Sequence, residues 1–102
     1  EIEDVTRFGI LITDKKGNLI EIKEKPKKSK SKLAAIGLFV LNKNFFKYKL
    51  VAIGGGEYGL PQTLATMAKD HSIKIVKAKH WHPIGNPDDI KSAEKVISKF
   101  LK

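Results

Sequence analysis

Glu24, Lys25 and Pro26 stand side by side in a chain of 102 residues. A carboxylate accepts hydrogen bonds from hydroxyl groups, and an ammonium beside it neutralises phosphate. Proline removes a backbone donor and stops a strand from continuing. Gly37-Leu38-Phe39 follows eleven residues later, and Gly56-Glu57-Tyr58 lies further on. Glycine lets backbone come close to a neighbour or a ligand, so both segments can fold back beside the pair. These residues together suit a polyhydroxylated, phosphorylated ligand.

Other groups are weaker candidates. His80 and His82 flank Trp81. On a strand they share a face and could hold a metal, but no third ligand is evident. His71 reads as a surface residue closing a helix. Gly54-Gly55-Gly56 leads into a helix and could cradle phosphate through backbone N–H groups. It fits no P-loop pattern, and a flexible connector is the simpler reading. Lys27, Lys28, Lys30 and Lys32 could attract a nucleotide or a nucleic acid; a solvated loop is the simpler reading. Phe45, Phe46 and Tyr48 follow near-helical spacing and read as core.

The elements that must position these residues alternate between strand and helix patterns. Residues 5–13 read as a strand, residues 14–18 as a hairpin turn with Gly17 and Asn18 at positive φ, and residues 19–25 as the returning strand. In that strand Ile20, Ile22 and Glu24 share one face, and Leu19, Glu21 and Lys23 the other. Residues 27–32 form a basic loop. Residues 33–41 are almost wholly apolar and predict a strand covered on both faces. Asn42 can cap a short helix. Residues 60–69 predict a helix with Pro61 in its first turn, and residues 73–78 a strand. Residues 80–85 are irregular. Asn86, Pro87, Asp88 and Asp89 start a helix expected to run to about Phe100.

Length and composition narrow the class. The chain is one small domain or a piece of a larger one. It has no cysteine, which excludes disulfides and thiolate metal sites. No apolar run is long enough to span a membrane. The N-terminus is acidic and is not a signal peptide, so the chain reads as cytoplasmic. The net charge of +9 comes almost entirely from lysine, because Arg7 is the only arginine. Arginine is the usual reader of guanine and the usual partner for base stacking, which weakens a nucleic-acid reading.

Taken in order, the chain resembles the C-terminal half of a sugar-1-phosphate nucleotidyltransferase of the glucose-1-phosphate thymidylyl- or uridylyltransferase type. The likeness runs from Arg7-Phe8-Gly9-Ile10 through the Asp14 and Gly17-Asn18-Leu19-Ile20 hairpin to Glu24-Lys25-Pro26. It continues at Ser31, Ala34 and Gly37-Leu38-Phe39, then at Gly56-Glu57-Tyr58, and closes on Trp81, Gly85, Pro87 and Asp89. The resemblance implies an α/β fold: the C-terminal half of a Rossmann-like nucleotidyltransferase domain, with a mixed β-sheet flanked by helices, partial over residues 1–102. It implies attack of a sugar-1-phosphate on the α-phosphorus of a nucleoside triphosphate, with Mg²⁺ in the complete enzyme. Glu24 would bind sugar hydroxyls, and Lys25 would bind the sugar phosphate and act in catalysis. The backbone from Ala35 to Gly37 would line the pocket, Glu57 would help shape it, and Trp81 would stand at its edge.

Three departures set limits. The glycine-rich triphosphate signature and the half that supplies one metal-binding aspartate are absent from these residues. The family's second metal aspartate falls on Pro83, so no residue of this chain is assigned to metal. Thymidylyl-type relatives carry a basic residue where this chain has Gly55. The chain alone is therefore expected to need a nucleotide-binding half on further sequence or on a second chain. Pairing with another copy through an exposed sheet edge stays open. So do a non-catalytic binding or scaffold domain and, with less support, a basic nucleic-acid-binding module.

Overall fold

The computed structural model describes residues 1–101. Asp4 caps a 3-10 turn over Val5–Arg7, its Oδ1 accepting from the Thr6 N–H at 3.0 Å. That cap holds the local backbone in a turn, so the first strand, β1, begins only at Gly9 and spans Gly9–Thr13. β2 covers Leu19–Glu24 and returns antiparallel. Gly17 has a φ of +81°, whereas Asn18 does not enter the left-handed region. Asn18 instead donates its N–H and its side-chain amide to Asp14.

A bulge decides which face of β2 is buried. Ile12 faces Glu21, but Thr13 faces Leu19, so Ile20 is the extra residue. The simple alternation expected from sequence therefore fails. Leu19 is buried and Ile22 packs against the same core, while Ile20 is exposed. That core gathers Leu19, Phe45, Leu64 and Met67. Phe45 comes from a 3-10 turn, Lys43–Lys47, capped by Asn42. Its neighbour Phe46 is 83% exposed, contrary to the reading of all three aromatics as core.

Two further strands, β3 (Val51–Gly54) and β4 (Glu57–Gly59), form a hairpin that the sequence did not announce. The glycines at 54, 55 and 56 all take positive φ and make its turn, not a loose connector. Helix α1 (Leu60–Met67) follows at once, with Pro61 in its first turn. Fully buried Thr63 ties the two together: its hydroxyl donates to the Gly59 carbonyl at 2.7 Å and accepts from the Val51 N–H at 3.1 Å.

Three expected elements are shorter than their patterns. Residues 33–41 meet β1 only around Ala34, through an Ile10–Ala34 bridge. Gly37, at φ +79°, then turns the chain away, and Leu38 and Val40 stand 82% and 98% exposed. An apolar run needs a neighbour on each side to become a central strand, and among the described residues this run has β1 alone. Residues 73–78 likewise form a single bridge, Asn18–Lys74, just before β2 begins. Helix α2 (Pro87–Glu94) stops well short of Phe100, and a 3-10 turn, Ile97–Lys99, completes the segment. Ile90, Ile97 and Phe100 stay exposed, so the apolar positions of this short helix find little packing that would carry it further. Among the described residues the sheets are two separate two-stranded antiparallel pairs, so the expected mixed sheet is not formed.

One position fixes the join between β4 and α1. A Cβ built on buried Gly59 would collide with the Gln62 side chain and with Ile53. Gly59→Ala is expected to destabilise by about 1–3 kcal/mol through overpacking. Urea unfolding checks this, and an unchanged midpoint would show that the junction can relax.

Candidate functional site

The end of β2 meets the start of β1. Glu24 lies opposite Gly9 in the register, and the Lys25 N–H donates to the Phe8 carbonyl at 3.0 Å. From the other side of β1, the Ala35 N–H donates to the Gly9 carbonyl at 2.8 Å. A Cβ on Gly9 would stand 3.3 Å from Glu24 Oε2 and 3.9 Å from the Ala35 Cβ. Gly9 thus leaves the space that the Glu24 carboxylate occupies. Trp81 packs edge-on against Phe8, with ring centroids 5.3 Å apart. Glu24, Lys25, Ala35 and Trp81 are therefore brought round the short stretch Phe8-Gly9.

Lys25 is the only non-glycine residue with positive φ among those described, at +42°. A side chain in that region crowds the backbone and costs about 1–2 kcal/mol. Pro26 further restricts the residue before it. Strain of this kind persists only where the surroundings enforce it, and it gathers at functional sites. Here β1 on one side and Pro26 on the other enforce it. The Lys25 ammonium is exposed and makes no ion pair among the described residues.

The remaining two candidates stand apart. Gly37 turns the chain at φ +79° with open space around it. Glu57 opens β4, is exposed, and has no hydrogen bond to Glu24 or Lys25 among the described residues. The helix after its motif does reach the pair: Gln62 Nε2 donates to Glu24 Oε2 at 3.4 Å. Gln62 Oε1 is buried without a partner, so the amide is held by packing under Gly59. Sequence reading missed Gln62, because a glutamine on a helix carries no local signal. Gly9 was visible only as a motif letter.

The closing motif has a structural partner that spacing does not show. Arg7 forks onto Asp89, with Nη2 2.7 Å from Oδ2 and Nη1 3.4 Å from Oδ1. The Gly85 N–H donates to Asp89 Oδ2 at 2.9 Å, and the Asp89 N–H donates to Asn86 Oδ1 at 2.9 Å. The Arg7 hydrogen bonds above all, then the Gly85 N–H, hold the Asp89 carboxyl below the usual carboxylate range. The clasp fixes the Trp81 segment against Phe8 from its far end.

A depressed pKa in the folded state means stability that is complete above the unfolded value, near 3.9. It is lost as pH falls through the folded value. Acid unfolding should therefore deepen below about pH 4. Asp89→Asn should lower the midpoint at pH 7 and flatten that acid limb. A variant with the parent's acid limb would remove Asp89 from the account.

His80 packs edge-on to Phe100 at 5.7 Å, and His82 Nε2 is buried without a partner. No three His, Cys, Asp or Glu side chains gather round one point among the described residues. Pro83 offers no side-chain donor.

The model of a family described as nucleotidyl transferase matches residues 1–99. A protein of Methanococcus aeolicus named bifunctional protein GlmU is 31% identical over 105 residues, covering 100% of this chain and 26% of that protein. A bifunctional sugar-1-phosphate nucleotidylyltransferase/acetyltransferase of Sulfurisphaera tokodaii is 36% identical over 86 residues, covering 81% of this chain and 21% of that protein. A glucose-1-phosphate adenylyltransferase of Thermosipho africanus is 40% identical over 93 residues, covering 82% and 22%. The chain spans about a quarter of the length of the curated relatives it matches. No helix among the described residues is long and apolar enough to cross a membrane.

Proposed function

The chain belongs to the nucleotidyl transferase family, and from that premise we propose that it is the sugar-phosphate-binding part of an enzyme making a nucleotide-sugar. The observation that carries this reading is Lys25, held in a left-handed backbone beside Glu24 at the end of β2. Strain at an exposed lysine has no folding benefit, and a phosphate contact gives it a purpose.

In the proposed reaction an oxygen of the sugar-1-phosphate attacks the α-phosphorus of a nucleoside triphosphate. The bond from that phosphorus to its bridging oxygen breaks, and pyrophosphate leaves. Two anions must meet, so the barrier has a large electrostatic part. Lys25 offsets the charge of the incoming phosphate. Glu24 accepts from sugar hydroxyls and sets the orientation, with Gln62 holding its carboxylate. The Ala35–Gly37 backbone and Trp81 supply walls, and Glu57 shapes the rim. In this reading the nucleotide and its Mg²⁺ would be held by residues outside this chain, on a longer polypeptide or a second one. Pairing with another copy of the chain is compatible with this division.

Pro83, where a donor is missing, favours a second reading: a sugar-phosphate-binding domain without catalysis. One assay separates the two. The 102 residues alone are expected to release no pyrophosphate from nucleoside triphosphate, sugar-1-phosphate and Mg²⁺. The same residues within the longer protein should release it. Silence of the longer protein with a panel of nucleotides and sugar phosphates would leave the binding reading. Release by the short chain would place the nucleotide site within it.

A further inference from the structure

We propose that the hollow between the β1–β2 hairpin and the basic loop that follows binds an oligophosphate anion, at a site separate from the Glu24–Lys25 pair. The hollow has a volume of about 680 Å³ and is lined by Lys23, Lys28 and Lys30 with Ile12, Thr13 and Ser29. The three lysines make no ion pair among the described residues. The hydroxyls of Thr13 and Ser29 have no hydrogen-bond partner there either. The other hydroxyl at the hollow, that of Ser31, is already engaged: it donates to the Leu11 carbonyl at 2.6 Å and accepts from the Leu33 N–H at 3.3 Å.

The loop is not free to carry its lysines elsewhere. At one end the Lys25 N–H is bonded to the Phe8 carbonyl. At the other, Ser31 is bonded to β1, the Leu11 N–H reaches the Leu33 carbonyl at 2.8 Å, and the Ile2 N–H reaches the Lys32 carbonyl at 2.9 Å. Both ends of the lysine-bearing stretch are thus pinned to ordered backbone. Pinning lowers the ordering cost of gathering several charges on one ligand.

The hollow is on the other side of the hairpin from the sugar-phosphate candidate. Successive side chains on a strand point to opposite faces. Ile22 packs into the core and Glu24 touches Gln62 of α1, so these two face the helix. Lys23 lies between them and faces away. Glu21 precedes it by two residues on that face and is outside the hollow's lining. The ligand class follows from the lining. Lysines are point charges that suit phosphate in any orientation. No aromatic or arginine lines the hollow, so stacked bases find no platform. Three clustered cations match the several negative charges of a pyrophosphate or triphosphate group.

Titration of the isotope-labelled chain with tripolyphosphate, followed by amide NMR shifts, tests this. Saturable shifts are expected at residues 23 and 28–30. Lys28→Gln with Lys30→Gln should weaken binding about tenfold or more. Lys95→Gln with Lys99→Gln removes the same charge far from the hollow and should change it by no more than about twofold. Lys25→Ala should leave it intact, which separates this site from the one proposed above. A nucleoside triphosphate should bind no better than tripolyphosphate, because the hollow gives a base no platform. Three results overturn the proposal: no saturation, equal weakening in both double variants, or stronger binding of a single-stranded oligonucleotide than of either phosphate.

Discussion

Lys25→Ala in the longer protein is expected to lower kcat/KM for the sugar-1-phosphate by about 10- to 100-fold, since a charge-assisted contact contributes about 1.5–3 kcal/mol. On the proposed division, in which other residues hold the nucleotide, the KM for the nucleoside triphosphate should hardly move. Lys25→Gly makes the expectation sharper. Glycine adopts φ +42° without the crowding that lysine suffers. Folding stability should hold or rise by about 0.5–1 kcal/mol, while use of the sugar phosphate falls as far as in the alanine variant. A lysine kept for folding would show the opposite pattern, with lower stability and unchanged kinetics. Steady-state kinetics and thermal unfolding of the same two variants read both quantities.

The second large effect concerns the core. Leu64 is buried with Leu19, Phe45 and Met67, and few other side chains are buried among the described residues. Leu64→Ala should cost about 2–5 kcal/mol through lost burial and the cavity left behind. A domain of this length has about 5–15 kcal/mol in total, so the loss is a large share. Helix α1 carries both Leu64 and Gln62, so loosening it should also free Glu24 from its amide partner. Urea unfolding with tryptophan fluorescence measures the first effect. A loss below about 1 kcal/mol would mean the α1 face is not the core.

Features that act on local backbone are legible in the chain. Gly17, Pro61 and the Asn86-Pro87 pair each mark their turn or helix start, because each works through its own φ or a hydrogen bond nearby. Features that need a distant partner are not. Residues 33–41 announce that they should be covered, yet nothing in an apolar run says by what, and here Leu38 and Val40 are exposed. The Arg7–Asp89 clasp joins positions 82 apart, and neither end carries a mark of the other. β3 and β4 are too short for alternation to register, so their glycine turn reads as a break. The bulge at Ile20 defeats a period-two reading of β2 because one extra residue moves Leu19 and Ile22 to the same core.

Direct binding of a sugar-1-phosphate to the labelled chain tests the central claim most closely. Glucose-1-phosphate, named for one of the relatives, heads a panel run beside glucose and inorganic phosphate. The account predicts saturable amide shifts at residues 24, 25 and 35 and at the Trp81 indole. They should be larger for the sugar phosphate than for either part alone and lost on Lys25→Ala. A well-dispersed spectrum that shows no saturable shift at these residues with any of the panel, or shifts there that survive Lys25→Ala unchanged, would contradict it.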